Sequence, residues 1–120
     1  MNGILYDTSR VGLKAVLRDW QLKALQVMWS NPEGAKSFTV WEKVNKILEG
    51  ETISRASVIN FLEEMREMGV LSGKEETGKG GYHWVYYPKL DEAGFNRYIV
   101  EKMIASLMES FPEATREAIK

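Results

Sequence analysis

The sequence predicts an α+β fold: three helices, a β-hairpin, then one long C-terminal helix. Three observations predict it. Apolar residues recur at helical spacing in three successive stretches before residue 70. A glycine cluster runs straight into strand-favouring aromatics in ETGKGGYHWVYYP, from Glu76 to Pro88. Beyond it, Phe95, Ile99, Met103, Leu107 and Phe111 return every four residues.

The first helix is expected from Asp19, a plausible N-cap, through Ser30. Leu22, Leu25, Met28 and Trp29 form its apolar stripe, and Asn31-Pro32-Glu33-Gly34 stops it. Thr39 reads as the N-cap of the second helix. That helix places Val40, Val44, Ile47 and Leu48 on one face, and Gly50 ends it. A third helix starts near Ser54, buries Val58, Phe61, Leu62 and Met65, and closes at Gly69. In the hairpin that follows, Tyr82, Trp84 and Tyr86 share one face of the return strand, and His83, Val85 and Tyr87 the other. The glycines supply the positive-φ turn, and Pro88 ends the strand. The long helix starts at Asp91, with Val100, Ile104 and Met108 widening its stripe. Ser110 to Glu113 has the pattern of a capping box ahead of a short last helix. Residues 1–17 fit no single period, and Ile4-Leu5-Tyr6 reads equally as a short strand or an arm.

A chain of 120 residues with 44% hydrophobic side chains suffices for one core. No apolar run approaches the roughly 20 residues of a membrane span. The N-terminus lacks the basic-then-apolar pattern of a signal peptide, so no membrane association and a cytoplasmic location are expected. Without cysteine there are no disulfides and no thiolate chemistry. The net charge of −1 argues for nothing by itself, and a generic polyanion binder is usually more lopsided in charge than this chain. Twelve Lys+Arg stand against ten Asp+Glu from Arg10 to Lys89, and four against six from Asp91 onward. Any contact with nucleic acid is therefore made by a local patch.

Several motifs point away from enzymatic chemistry. The run from Gly73 to Lys79 matches GxxxxGK, but Gly80 stands where a phosphate-binding loop needs Ser or Thr, and a strand follows where a helix should. His83 is the sole histidine and has no cluster of ligands around it. The paired acids Glu63-Glu64 and Glu75-Glu76 read as solvated faces. No enzyme, metal or cofactor is expected, and no pattern identifies a small-molecule effector.

The start of the third helix is more informative. Ser54, Arg55, Ala56, Ser57 and Asn60 form an outward face of small and polar side chains, which is what a helix entering a major groove needs. The same residues also suit an ordinary exposed helix start. Lys74 and Lys79 at the hairpin can reach a phosphate backbone, or be solvated lysines on a turn. The C-terminal stripe either folds onto its own core or pairs with a second copy across a two-fold axis. The second option is preferred, because three helices and a hairpin already complete a core.

Helix, helix, helix, hairpin and long helix, in that order, make a winged helix-turn-helix with a dimerisation extension. Three stretches resemble the penicillinase-repressor family of winged-helix transcriptional regulators. They are Leu25-Gln26-Val27-Met28-Trp29, then Ser57 to Leu62 with Met65 and Gly69-Val70-Leu71, and finally Tyr82 to Pro88. The match runs from about Asp19 to Phe111. It implies a homodimeric repressor that binds double-stranded operator DNA of pseudo-palindromic sequence. By position, Arg55, Ala56, Ser57 and Asn60 would face the groove, and Lys74 and Lys79 would lie on the wing, residues 72–82. Glu63-Glu64 and the first 17 residues depart from the family pattern. The organisation expected is an extension over 1–17, a DNA-binding domain over 18–89 and a helical dimerisation region over 90–120, with Phe95, Ile99, Met103, Leu107 and Phe111 at the dimer contact. The alternative is a winged-helix module that binds protein and not specific DNA.

Overall fold

The structure, a computed structural model, describes residues 4–78 and 81–120, apart from the side chain of Tyr82. Lys79, one of the two wing lysines, lies outside the described residues. The chain divides into two compact units, one up to Leu90 and one from Asp91. The first carries α1 (Asp19–Trp29), β1 (Ala35–Lys36), α2 (Ser37–Ile47), α3 (Arg55–Glu67), β2 (Leu71–Gly78) and β3 (Gly81–Pro88). The second carries α4 (Glu92–Ser110) and α5 (Pro112–Ala118). The antiparallel sheet has the order β1-β3-β2, and the fold is the winged helix expected.

The first helix starts one residue earlier than expected. Arg18 is the N-cap, and its N–H donates to the Gln21 side chain at 2.9 Å. Asp19 is instead the first helical residue. There its carboxylate faces the positive helix end and pairs with Arg10 at 2.7 Å. Helix α1 buries Ala24, Leu25, Val27 and Met28. The segment before it also contributes to the core. A 3-10 turn over Gly12–Ala15 buries Ala15, Leu17 is buried next to it, and the Asp7 N–H donates to the Ala15 carbonyl at 2.7 Å. Ile4-Leu5-Tyr6 forms no strand.

Helix α2 begins at Ser37, with Lys36 as N-cap, so Thr39 lies inside its first turn. The cause is β1, a two-residue strand too short to show in any period. Its Ala35 and Lys36 pair with Tyr86 and Val85, and this pairing fixes the chain direction from which α2 springs. Gly34 makes that approach possible. Its φ is +105°, and a Cβ there would lie 2.5 Å from the Tyr87 ring and 2.7 Å from Val85 Cγ1. Val40 and Val44 are buried as expected, whereas Ile47 is half exposed and faces out of the core.

Helix α3 follows the sequence closely. The Ser54 hydroxyl accepts from the Ser57 N–H at 3.1 Å, and Val58, Phe61, Leu62 and Met65 are buried. The end is a Schellman closure: Gly69 has φ +85°, its N–H donates to the Arg66 carbonyl, and the Val70 N–H donates to that of Met65. Val70 is thereby turned into the core. Trp20 packs edge-on against Phe61 at 5.4 Å. The Trp29 indole N–H donates to the Leu90 carbonyl at 3.0 Å.

In the second unit, the Asp91 carboxylate caps α4 by accepting from the Gly94 N–H at 2.7 Å. The capping box expected at Ser110 does not form. Ser110 is the last residue of α4, Phe111 is the N-cap of α5 with no side-chain bond, and Thr115 Oγ1 donates back to the Leu107 carbonyl at 3.0 Å.

Gly34 and Gly50 separate two costs of replacing a glycine. At Gly50 (φ +79°) an added Cβ meets open space, so Gly50→Ala is expected to cost only about 1–2 kcal/mol of backbone strain. Gly34→Ala adds overpacking of about 1–3 kcal/mol to the same strain. Chemical denaturation of the two variants should show Gly34→Ala as clearly the more damaging. Equal losses would contradict the role assigned to Gly34.

Candidate nucleic-acid interface

The helix that would read DNA is set in place by the turn preceding it. Among residues 48–54, Ile53 is the anchor. Its N–H donates to Asn45 Oδ1 at 2.8 Å, and its carbonyl accepts from Asn45 Nδ2 at 3.1 Å and from the Trp41 indole N–H at 2.8 Å. Asn45 also donates to the Trp41 carbonyl, which fixes its amide on α2. Two side chains of α2 therefore satisfy both backbone groups of the residue before the Ser54 cap. A turn held this way sets the angle at which α3 leaves α2.

On α3, Arg55, Ala56, Ser57 and Asn60 are all exposed, as expected of them. Ser54 is exposed too, but its hydroxyl is committed. It accepts from the Ser57 N–H and donates to Ser57 Oγ at 2.9 Å. The Arg55 guanidinium lies over the Phe38 ring of α2, 5.2 Å from its centroid. Spacing of i and i+4 places Ala56 and Asn60 along one outward stripe. Lys74 is exposed on β2, in register with Val85. The GxxxxGK match dissolves, since Gly73 to Gly78 is strand.

One acid of each pair, Glu63 and Glu76, is bonded within the fold, whereas Glu75 is exposed as expected. Glu63 Oε1 accepts from Arg66 Nη2 at 2.8 Å, and Glu63 Oε2 accepts from the Tyr86 hydroxyl of β3. The Arg66 guanidinium in turn lies 5.3 Å from the Trp84 ring centroid. Gly73 leaves room for this layer, because a Cβ there would meet Arg66 Cδ at 2.7 Å and the Trp84 ring at 3.2 Å. The Arg66 hydrogen bond, seconded by Tyr86, holds the Glu63 carboxyl below the usual carboxylate range against the opposing effect of burial. Burial first, and then the Glu63 carboxylate, push the Tyr86 hydroxyl far above its ordinary value. On the other face, Tyr87 donates to Glu76 at 2.6 Å, and this bond raises its hydroxyl as well. Glu63 and Glu76 are thus structural acceptors that tie the hairpin to α3 and to itself.

Trp41, Asn45, Phe38 and Arg66 escaped the sequence reading. Only Glu63 and Arg66 left a usable trace, the i, i+3 spacing of opposite charges on a helix. Among the described residues, no helix is long and apolar enough to cross a membrane. No group of three or more His, Cys, Asp or Glu in those residues is placed to hold a metal ion.

Two outcomes test the clamp between α3 and β3. Tyr86→Phe removes one hydrogen bond to a charged acceptor and should cost about 1–3 kcal/mol in a denaturant titration. The Glu63 carboxyl titrates lower when folded than its ordinary value of 4.5. Its contribution is therefore complete above that value and is lost as pH falls through the folded value. Glu63→Gln should flatten this acid limb of the stability profile. An unchanged limb would show that other carboxylates carry it.

No family model matches this chain, and no curated protein matches its sequence. Solved structures do resemble it. A possible transcriptional regulator from Methanosarcina mazei Go1 superposes with a TM-score of 0.63 over 98% of both chains, at 13% identity. A PadR-family transcriptional regulator from Eggerthella lenta DSM 2243 aligns over 76% of this chain and 79% of its own, with 14% identity and a TM-score of 0.49. At such identities the likeness is one of fold, and it does not single out the penicillinase-repressor family. The chain shares a winged-helix fold, end to end, with a protein described as a possible transcriptional regulator.

Proposed function

We propose that this protein is a DNA-binding transcriptional regulator. It acts as a homodimer on a pseudo-palindromic operator, through the exposed start of α3 and the hairpin wing. The observation that carries the reading is the outward face of Arg55, Ala56, Ser57 and Asn60, presented by a helix whose entry turn is bound on both backbone groups of Ile53. Small side chains allow close approach to base edges, while Arg55 and Asn60 supply donors. Lys74 serves the phosphate backbone. The likeness of fold to a possible transcriptional regulator supports this role. The sequence resemblance supports repression as the mode of control, and a cytoplasmic location goes with it.

The dimer contact we assign is narrower than the full C-terminal stripe. Phe95 and Ile99 are buried within the single chain, whereas Leu107 and Phe111 are 48% and 61% exposed. A second copy would be met from Met103 onward, with Val100 beside it. At about 25 cal/mol per Å² of apolar surface buried, these side chains supply several kcal/mol to association. The alternative, a module that binds only protein, drew on the acids of α3. Glu63 is paired with Arg66 and Tyr86, which weakens that argument.

Fluorescence anisotropy with DNA from upstream of the protein's own gene, beside scrambled DNA, is the direct test. Preferential binding that survives moderate salt is expected. Arg55→Ala and Asn60→Ala should each weaken it by about 1–3 kcal/mol without loss of fold. Lys74→Ala should lower affinity for both DNAs and reduce the salt slope by about 0.9 for each phosphate that is no longer neutralised. Equal, salt-fragile binding to both DNAs would reject the reading. Sedimentation should show Leu107→Glu and Phe111→Glu shifting dimer to monomer, and a native protein that is already monomeric would remove the two-fold operator from the proposal.

A further inference from the structure

Two arginines in this fold are laid over aromatic rings at nearly the same distance, yet their charges are differently placed. Arg66 stacks 5.3 Å from the Trp84 ring centroid and spends its guanidinium edge on Glu63. Arg55 stacks 5.2 Å from the Phe38 ring centroid, and among the described residues it has no carboxylate partner. Arg66 is a structural cation, compensated in place. Arg55 is held and uncompensated, at the exposed first residue of α3.

Phe38 is an unusual support for it. The ring is 43% exposed on α2, an aromatic that the core does not need. It leans on Trp41 at 5.5 Å between centroids, tilted by 45°. Trp41 is in turn fixed by its indole N–H to the Ile53 carbonyl, two residues before Arg55. The ring under Arg55 is thus referenced to the same turn that orients α3. A guanidinium held over a ring by cation–π attraction, without a carboxylate partner, keeps its rim of N–H donors available to another acceptor. That rim matches the paired O6 and N7 acceptors of guanine in the major groove.

Resting on the DNA-binding reading above, we propose that Phe38 is the positioning residue for Arg55, and that the pair reads one G·C base pair in each half-site. The ring takes up the rotamer freedom of Arg55 before DNA is met. Discrimination at this base pair therefore depends on the π face of residue 38, and not on its bulk alone.

The test selects bound duplexes from a random-sequence pool with the native protein. Affinity is then measured for the selected duplex and its single-base-pair substitutions. The variants are Phe38→Tyr, Phe38→Leu, Phe38→Ala, Arg55→Ala and the double variant Phe38→Ala with Arg55→Ala. Thermal melts identify any variant that has lost its fold. The native protein is expected to discriminate on the order of tenfold or more at one G·C pair per half-site. Arg55→Ala and Phe38→Leu should both relax discrimination at that pair, Phe38→Tyr should keep it, and the double variant should lose no more than Arg55→Ala alone. Native discrimination in Phe38→Leu would overturn the inference and leave the regulator reading intact. So would relaxation at a different base pair, or losses that multiply in the double variant. A native protein that enriches no sequence from the pool would overturn both.

Discussion

A carboxylate set between a helix and a strand costs stability unless it is compensated. Glu63 stands in that position on α3, facing β3. Arg66 meets it from the same helix and Tyr86 from across the gap, so both oxygens are satisfied. Trp84 covers the guanidinium, and Gly73 lets the layer lie flat against β2. A purely apolar contact would join α3 to the hairpin with little directional preference. Hydrogen bonds to a charged acceptor impose one geometry. The angle between helix and wing, the two parts assigned to DNA, is held by this contact.

The opposite end of α3 is governed by the same logic with other side chains. Ile53 has both backbone groups claimed by α2, through Asn45 and Trp41. Farther back, β1 pairs with β3 across the bare backbone of Gly34, and α2 starts from that pairing. The helix is thus located at its start by a turn, farther along by the Tyr86 hydroxyl on Glu63 and at its end by the Schellman closure that buries Val70. None of these contacts uses the outward face of Arg55, Ala56, Ser57 and Asn60. A rigid support with a free face is what precise recognition of a partner needs.

Charge is used locally throughout. The chain is nearly neutral, so it has little long-range attraction for DNA. Arg66, Glu63 and Glu76 are consumed by the fold, which leaves a small set of basic groups at α3 and the wing. On the proposed reading, affinity for DNA would depend on contact geometry and on having two copies more than on the number of cations. The exposed apolar end of the C-terminal unit, at Leu107 and Phe111, suits the second requirement.

The sequence by itself determined the element order, the buried stripe of α3, its Ser54 cap and Gly69 stop, and the alternation of the hairpin. Each of these is local, set by a period, a cap preference or a φ that glycine tolerates. The small, polar start of α3 was legible for the same reason. Tertiary structure alone decided the rest. β1 is two residues long and exists because β3 is there to pair with it, which in turn moved the N-cap of α2 from Thr39 to Lys36. Glu63 reads as a surface acid until Tyr86 arrives from 23 residues away. The pins from Trp41 and Asn45 to Ile53, and the ring of Phe38 beneath Arg55, join residues on different elements. Local patterns carry no information about which distant group will complete a hydrogen bond or a stack, so these contacts are decided only when the chain has folded.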